Sequence, residues 1–357
     1  MAVNKLDLIR DLSNANGVSG FEEEVTKVVK EYINKSADIK IDLMNNVFLN
    51  RKQNTGKRPV IMIDGHSDEV GFMVQSITPK GLIKFITLGG WAPANVPAHL
   101  VRIRNYSGEY IQGIITSKPP HFLSAAEKKA APVIENMFID VGATSIEEVT
   151  DIFKIEVGSP IVPEATFSYD EKTKIMRGKA FDDRIGCACV VSVLDELANS
   201  KIDIDVVGTI STQEEVGLRG SKVTANKVNP DIAIVFEGTP ADDGFRNSYD
   251  SQSALKKGPQ VRHRDGSMIT NPRFLAFARS VAIESGINFQ DAVRAGGGTD
   301  GGSIHLANNG VPTIVIGIPT RYIHTHYGYC AYEDYEAAVK WGVAIIKKLN
   351  EQVINNL

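Results

Sequence analysis

At 357 residues the chain exceeds one average domain, so two are expected. Lys and Arg total 39 against 43 Asp and Glu, a net charge of −4, which leaves no basic excess to attract nucleic acid or an anionic membrane. No apolar run reaches membrane-span length, the amino terminus has no long apolar core, and the 3 cysteines lack metal-ribbon spacing; the cytoplasm is the expected compartment.

In chain order, Val25, Val28, Val29, Tyr32 and Ile33 share one face and predict a helix from about Phe21 to Asn34, followed by extended segments. The apolar run Pro59–Asp64 reads as a buried strand and ends in Gly65-His66-Ser67-Asp68-Glu69. From about Gly71 to Pro160 the character changes. Short alternating strands such as Leu100–Arg104, Tyr110–Ile115 and Met137–Asp140 are separated by Gly and Pro turns, with only a short polar stretch near Ser124–Ala130 between them. This predicts an all-β insert at 70–162 within a discontinuous α/β domain formed by 1–69 and 163–357. After the insert, buried strands are expected at Val206–Ile210, Ile232–Phe236 and Pro312–Ile318. Helices are expected near Asp183–Leu197, Pro272–Ser285 and Tyr332–Gln352. Cys187 and Cys189, inside the first of these helices, read as small buried hydrophobes.

Side chains at the carboxyl ends of strands in an open α/β sheet point into the crevice where ligands bind. The four predicted strands deliver His66, the pair Glu214–Glu215, Glu237 (just before a turn, Gly238-Thr239-Pro240) and His324 to that position. Two adjacent glutamates repel each other and lose hydration unless a metal or a proton compensates. One is therefore a candidate metal ligand and the other a candidate proton carrier, although alone the pair reads equally well as surface acids on a turn. Asp183 at the helix entry reads as a cap, which leaves Asp182 to point elsewhere. Asp68, two residues after His66, is placed to receive the ring's other N–H, its alternative being a surface acid. Two histidines with several carboxylates suit Zn, Co or Mn. The run Gly296–Gly302 suits either close backbone approach to a substrate or a tight structural turn, and it lacks dinucleotide or P-loop spacing.

Asp64-Gly-His-Ser-Asp-Glu-Val-Gly-Phe-Met-Val74, Lys179-Ala-Phe-Asp-Asp-Arg-Ile-Gly-Cys187, Thr212-Gln-Glu-Glu-Val-Gly-Leu-Arg-Gly220 and Arg321-Tyr-Ile-His324 resemble the tetrahedral metalloaminopeptidases. These are the glutamyl and deblocking aminopeptidases, whose members also carry the names cellulase or endoglucanase. The resemblance spans nearly the whole chain, with the motifs in order. It implies a phosphorylase/hydrolase-like mixed-sheet metallopeptidase domain with an inserted β-barrel-like oligomerisation domain, and two divalent metal ions per subunit. Asp182 would bridge the ions, His66 and Glu237 would complete one, and Glu215 and His324 the other. Glu214 would be the general base and Asp68 would orient His66. One position departs from the pattern: many relatives carry Asp where Glu237 stands, which bears on metal preference. His326 lies near His324, but the Arg-Tyr-Ile-His match favours His324 as the ligand.

Such a site supports hydrolysis of a peptide from its free amino end, the two metals activating a water and Glu214 carrying its proton. The resemblance further implies a homo-oligomer, a dodecamer built from dimers, in which the insert makes the contacts. Two other classes stand beside this one. A glycoside hydrolase would use a carboxylate pair about 5–10 Å apart and no metal; Glu214 and Glu237 are the pair on offer, which leaves His66, His324 and Asp182 without work. A non-catalytic assembly module is disfavoured by the presence of Glu214.

Overall fold

The computed structural model describes residues 3–33 and 36–357. The chain begins with α1 (Lys5–Asn14), α2 (Glu23–Ile33), β1 (Ala37–Ile41), β2 (Val47–Arg51) and β3 (Val60–His66). It then forms β4 (Gly71–Ile77), β5 (Ile83–Leu88), β6 (Leu100–Arg104), β7 (Tyr110–Ile115), β8 (Ile139–Asp140) and β9 (Pro160–Pro163). It continues with β10 (Ser168–Asp170), β11 (Ile175–Gly178), α3 (Phe181–Leu197), β12 (Asp205–Ser211), α4 (Arg219–Val228), β13 (Ile232–Pro240), β14 (Gln260–Arg264) and α5 (Pro272–Glu284). The last elements are β15 (Gln290–Val293), α6 (Gly301–Ile304), β16 (Thr313–Arg321), β17 (Gly328–Ala331), α7 (Tyr332–Lys348) and α8 (Glu351–Ile354). Asn34, the expected end of the first amphipathic helix, lies outside the described residues. Two compact units result: 1–68 with 166–323 and 327–357, and 69–165 with 324–326.

The larger unit is a mixed sheet in the order β1-β2-β12-β3-β13-β16-β17-β11-β10, with β14 also pairing β16 and β15 pairing β14. Its centre, β12, β3, β13 and β16, is parallel. These strands read as unbroken apolar runs because both faces are buried. Ile61, Ile63, Ile232, Ile234, Phe236, Ile314 and Ile316 pack on one side with residues of α1, α2, α3, α5 and α7. Met62, Ala233, Val235 and Val315 pack on the other with Ala225 and Ile304 of α4 and α6. The smaller unit is a closed barrel, β4-β5-β8-β7-β6-β9, around Phe72, Val74, Phe85, Val101, Ile103 and Ile161. Among the described residues no helix is long and apolar enough to cross a membrane.

The structure refines the local expectations. The strand expected to stop at Phe236 runs on to Pro240, because β16 pairs with it as far as Pro240↔Thr320; Gly238-Thr239-Pro240 is strand, not turn. The helix expected over Tyr332–Gln352 breaks in two: Leu349 and Asn350 are extended, and the Asn350 side chain accepts the Val353 N–H at the start of α8. In the glycine run, a Cβ at Gly301 would lie 2.7 Å from Met268 Sδ and one at Gly302 would lie 2.5 Å from Ser267 Oγ, so this part of the run serves internal packing.

Candidate metal centre

His66 is the last residue of β3, directly opposite Ser211 at the end of β12. Past β12 the chain turns through Gln213, Glu214 and Glu215 before α4, with Gln213 and Leu218 in the left-handed region at φ 55° and 54°. Asp182 stands at the head of α3, where Asp182 and Asp183 keep non-helical backbone angles. Glu237 lies within β13, three residues before its end. The head of α3 can approach β13 because position 238 is glycine: a Cβ there would sit 2.6 Å from the Phe181 carbonyl oxygen and 2.7 Å from Asp182 Cα.

These elements bring ligand-type atoms together. His66, Asp182 and Glu237 offer one atom each within 4.8 Å of one another, and so do His66, Glu214 and Glu215; the carboxylates of Asp182 and Glu215 are also within that distance. His66 Nε2 is 3.2 Å from Asp182 Oδ1 and 3.9 Å from Glu214 Oε2. His324 lies three residues past the end of β16 at φ 55°, in the stretch that is compact with the barrel unit. His326 is stacked on His99, ring centroids 4.1 Å apart, and burial, followed by His99, holds it down at about 3.

Asp183 has the capping role expected of it, its Oδ1 accepting the Gly186 N–H at 3.0 Å. It also accepts Gly238 N–H at 2.8 Å and, through Oδ2, His66 N–H at 2.9 Å, so one carboxylate ties the helix head to two strands. Asp68 differs in detail from its expected role. The nearest acceptor to His66 Nδ1 is the Asp68 backbone carbonyl at 3.0 Å, with the carboxylate at 3.4 Å. The carboxylate itself accepts Glu214 N–H at 2.9 Å, Glu215 N–H at 3.2 Å and Ser19 Oγ–H at 2.6 Å.

The electrostatics are those of crowded, buried acids. Burial pushes Glu214 up to about 8, with Asp300, Asp182 and Asp68 adding to it and His66 opposing. Glu237 is held well above the usual carboxylate range by burial, then by Asp183 and Asp182. Burial would lower His66, but Glu214, Asp182 and Asp68 outweigh it and hold the imidazole well above its ordinary value. Behind His66, Asp64 is pushed up to about 7 by burial while Thr209 and Ser211 hydroxyls bond its Oδ1. Glu237 Oε2 is buried with no hydrogen-bond partner. Buried carboxylates that repel one another, gathered around an imidazole and with one carboxylate oxygen unsatisfied, fit a divalent cation.

Ser19 and Glu22, which also reach this region, carry no signal in the sequence beyond a Gly-rich stretch before α2. Asp64 and Asp300 were visible only as a strand end and as part of the glycine run.

A family profile described as M42 glutamyl aminopeptidase matches residues 45–341. The chain is 32% identical over 350 residues to the glutamyl aminopeptidase of Lactococcus lactis subsp. cremoris (strain MG1363), covering 98% of this chain and 97% of that one. Its fold matches the TET aminopeptidase from the marine sediment archaeon Thaumarchaeota archaeon SCGC AB-539-E09 with a TM-score of 0.94 and 39% identity, over 99% of each chain. It also matches the Pyrococcus horikoshii TET1 peptidase, which can assemble into a tetrahedron or a large octahedral shell, with a TM-score of 0.86 and 26% identity, over 97% of this chain and 100% of that one. The protein is a peptide hydrolase. It belongs to the M42 glutamyl aminopeptidase family.

Proposed function

We propose that the protein is a metal-dependent aminopeptidase that removes amino-terminal residues from peptides at a two-metal site. The observation that carries the reading is the convergence of His66, Asp182, Glu214, Glu215 and Glu237 from β3, the head of α3, the turn after β12, and β13. His66, Asp182 and Glu237 would hold one ion. Asp182 and Glu215 would hold the other, completed by His324 from the segment after β16. When bound, such ions activate water and polarise the scissile carbonyl.

The chain's own residues supply the proton traffic. Glu214 takes a proton from the attacking water at its carboxylate oxygen and returns it to the departing amine. Asp68 holds the backbone of both glutamates and, through its carbonyl, the tautomer of His66. The substrate's free amine would be anchored by a metal or an acid of the cluster, which confines cleavage to the first bond.

We also propose assembly through the barrel unit into a homo-oligomer, a dodecamer built from dimers. Leu100 and Ile114 support it: they face each other across β6 and β7, and both are exposed. The catalytic reading is tested by stripping the protein with a chelator and assaying a panel of aminoacyl arylamides with Zn²⁺, Co²⁺ or Mn²⁺ added back. Hydrolysis should vanish on stripping and return with metal. Full activity in metal-free protein would refute it.

A further inference from the structure

Two side chains of the amino-terminal segment reach the turn that carries the paired glutamates, and the proposed chemistry assigns them no part. Glu22 Oε1 accepts the Gly20 N–H at 2.8 Å and the Gln213 N–H at 3.3 Å. Ser19 Oγ donates to Asp68 Oδ2 at 2.6 Å, and Asp68 accepts the next two N–H groups, those of Glu214 and Glu215. Three successive backbone donors, 213, 214 and 215, therefore end on two buried carboxyl groups, and Ser19 fixes one of these. Ser19, Glu22 and Asp68 are all buried.

The segment that presents Ser19 and Glu22 is itself anchored. Arg184, near the head of α3, donates to the carbonyls of Leu12, Ala15, Gly17 and Ser67. Lys179 Nζ donates to Ala15 O, and Glu24 accepts the Asn16 N–H. Gln213 sits in the left-handed region at φ 55°, a conformation a non-glycine residue keeps only when its surroundings hold it. Without those acceptors the turn has a cheaper backbone available, and both glutamates would swing with it.

We infer that Ser19 and Glu22 are positioning residues for hydrolysis: they fix the Gln213–Glu215 backbone so that Glu214 presents its carboxyl to the reacting centre and Glu215 its oxygen to the metal. This rests on the reading of Glu214 as proton carrier. A displacement of about 1 Å at a reacting group costs on the order of 10²-fold in rate, so bonds that stop such a displacement act on turnover more than on binding.

Ser19→Ala, Glu22→Ala and Glu22→Gln are made in the full chain, with Ser13→Ala as a matched control, because Ser13 makes a comparable buried bond to the Lys179 carbonyl outside the site. Each is loaded with Zn²⁺ and assayed on aminoacyl arylamides, and amide hydrogen exchange is followed over 213–217 and over β12. At saturating Zn²⁺, Ser19→Ala and Glu22→Ala should keep KM, lose about 10- to 100-fold in kcat, and exchange faster at 213–217 but not in β12. Glu22→Gln, which retains an acceptor oxygen, should recover most of the rate, and Ser13→Ala should keep kcat. The inference is overturned if both alanine variants turn over like wild type while Glu214→Gln does not, a result that leaves the proposed function standing. It is also overturned if Ser13→Ala loses as much kcat as they do. Should metal-loaded wild type cleave no aminoacyl substrate, the proposed function fails, and the exchange measurement decides alone: unchanged exchange at 213–217 in both alanine variants overturns the inference, and selective loosening there supports it.

Discussion

Asp68 and Glu214 lie 146 positions apart, and the carboxylate of the first accepts the backbone N–H of the second at 2.9 Å. The bond joins the loop after β3 to the turn after β12, so the histidine end of one strand and the glutamate pair of the next are fixed as one unit. The proton-transfer role proposed for Glu214 can therefore be tested separately from metal binding. Glu214→Gln preserves shape but cannot accept and return a proton. It should keep its metal content and lose at least about 10²-fold in turnover. Metal analysis alongside kcat checks this; a variant near the wild-type rate with metal bound means that another group is the base.

Peptides with a free amine should be cut far faster than the same peptides N-acetylated, since the amine is the expected anchor. Carboxymethyl cellulose should be inert or poor. Parallel assays on purified protein decide it: a metal-dependent glucanase rate above that on every aminoacyl substrate contradicts the peptide reading.

Asp334, away from the proposed centre, makes stability depend on pH. It is buried at the start of α7, and burial lifts it from 3.8 to about 6 against the Lys256 and Gly258 N–H groups it accepts. Between those values the folded chain retains a proton that the unfolded chain has released. Its favourable contribution is therefore complete below the unfolded value and is lost as pH rises through about 6, at a rate approaching 1.4 kcal/mol per pH unit. Asp334→Asn should flatten the pH dependence of the denaturation midpoint of metal-free protein over about pH 4–6. An unchanged slope would show that Asp334 ionises in the fold as it does in the unfolded chain.

Light scattering on the intact protein should give a mass many times that of one chain. Ile114→Lys, which places a charge in the exposed Leu100–Ile114 pair, should shift the population to smaller species without removing any proposed ligand. A monomer in wild type, or an assembly indifferent to this change, argues against barrel-mediated association.

The central strands were legible because burial on both faces makes them continuous apolar runs, and their ends carry the residues that meet in space. β6 and β7 were readable to the residue for the complementary reason, a one-sided alternation bounded by turns. What escaped had no periodic signature. The extension of β13 to Pro240 depends on pairing with β16, and nothing in Gly238-Thr239-Pro240 taken alone distinguishes that from a turn. The break between α7 and α8 turns on one asparagine cap inside an otherwise helical pattern. Ser19 and Glu22 sit in a Gly-rich stretch whose partners are some 50 and 190 residues away, a relationship only the folded chain displays.

The Arg184 guanidinium, bonded to the carbonyls of residues 12, 15, 17 and 67, has a practical consequence for handling the enzyme. A proteolytic nick or a trimmed expression variant that removes the first two dozen positions would leave every proposed ligand and Glu214 in place. It would also leave the Arg184 cation with only the Ser67 carbonyl of these four acceptors, and the glutamate-bearing turn held by Asp68 without Ser19 and Glu22. Such a preparation would retain every proposed ligand in its sequence and still turn over poorly, so the integrity of the amino-terminal stretch belongs among the checks on any batch of low specific activity.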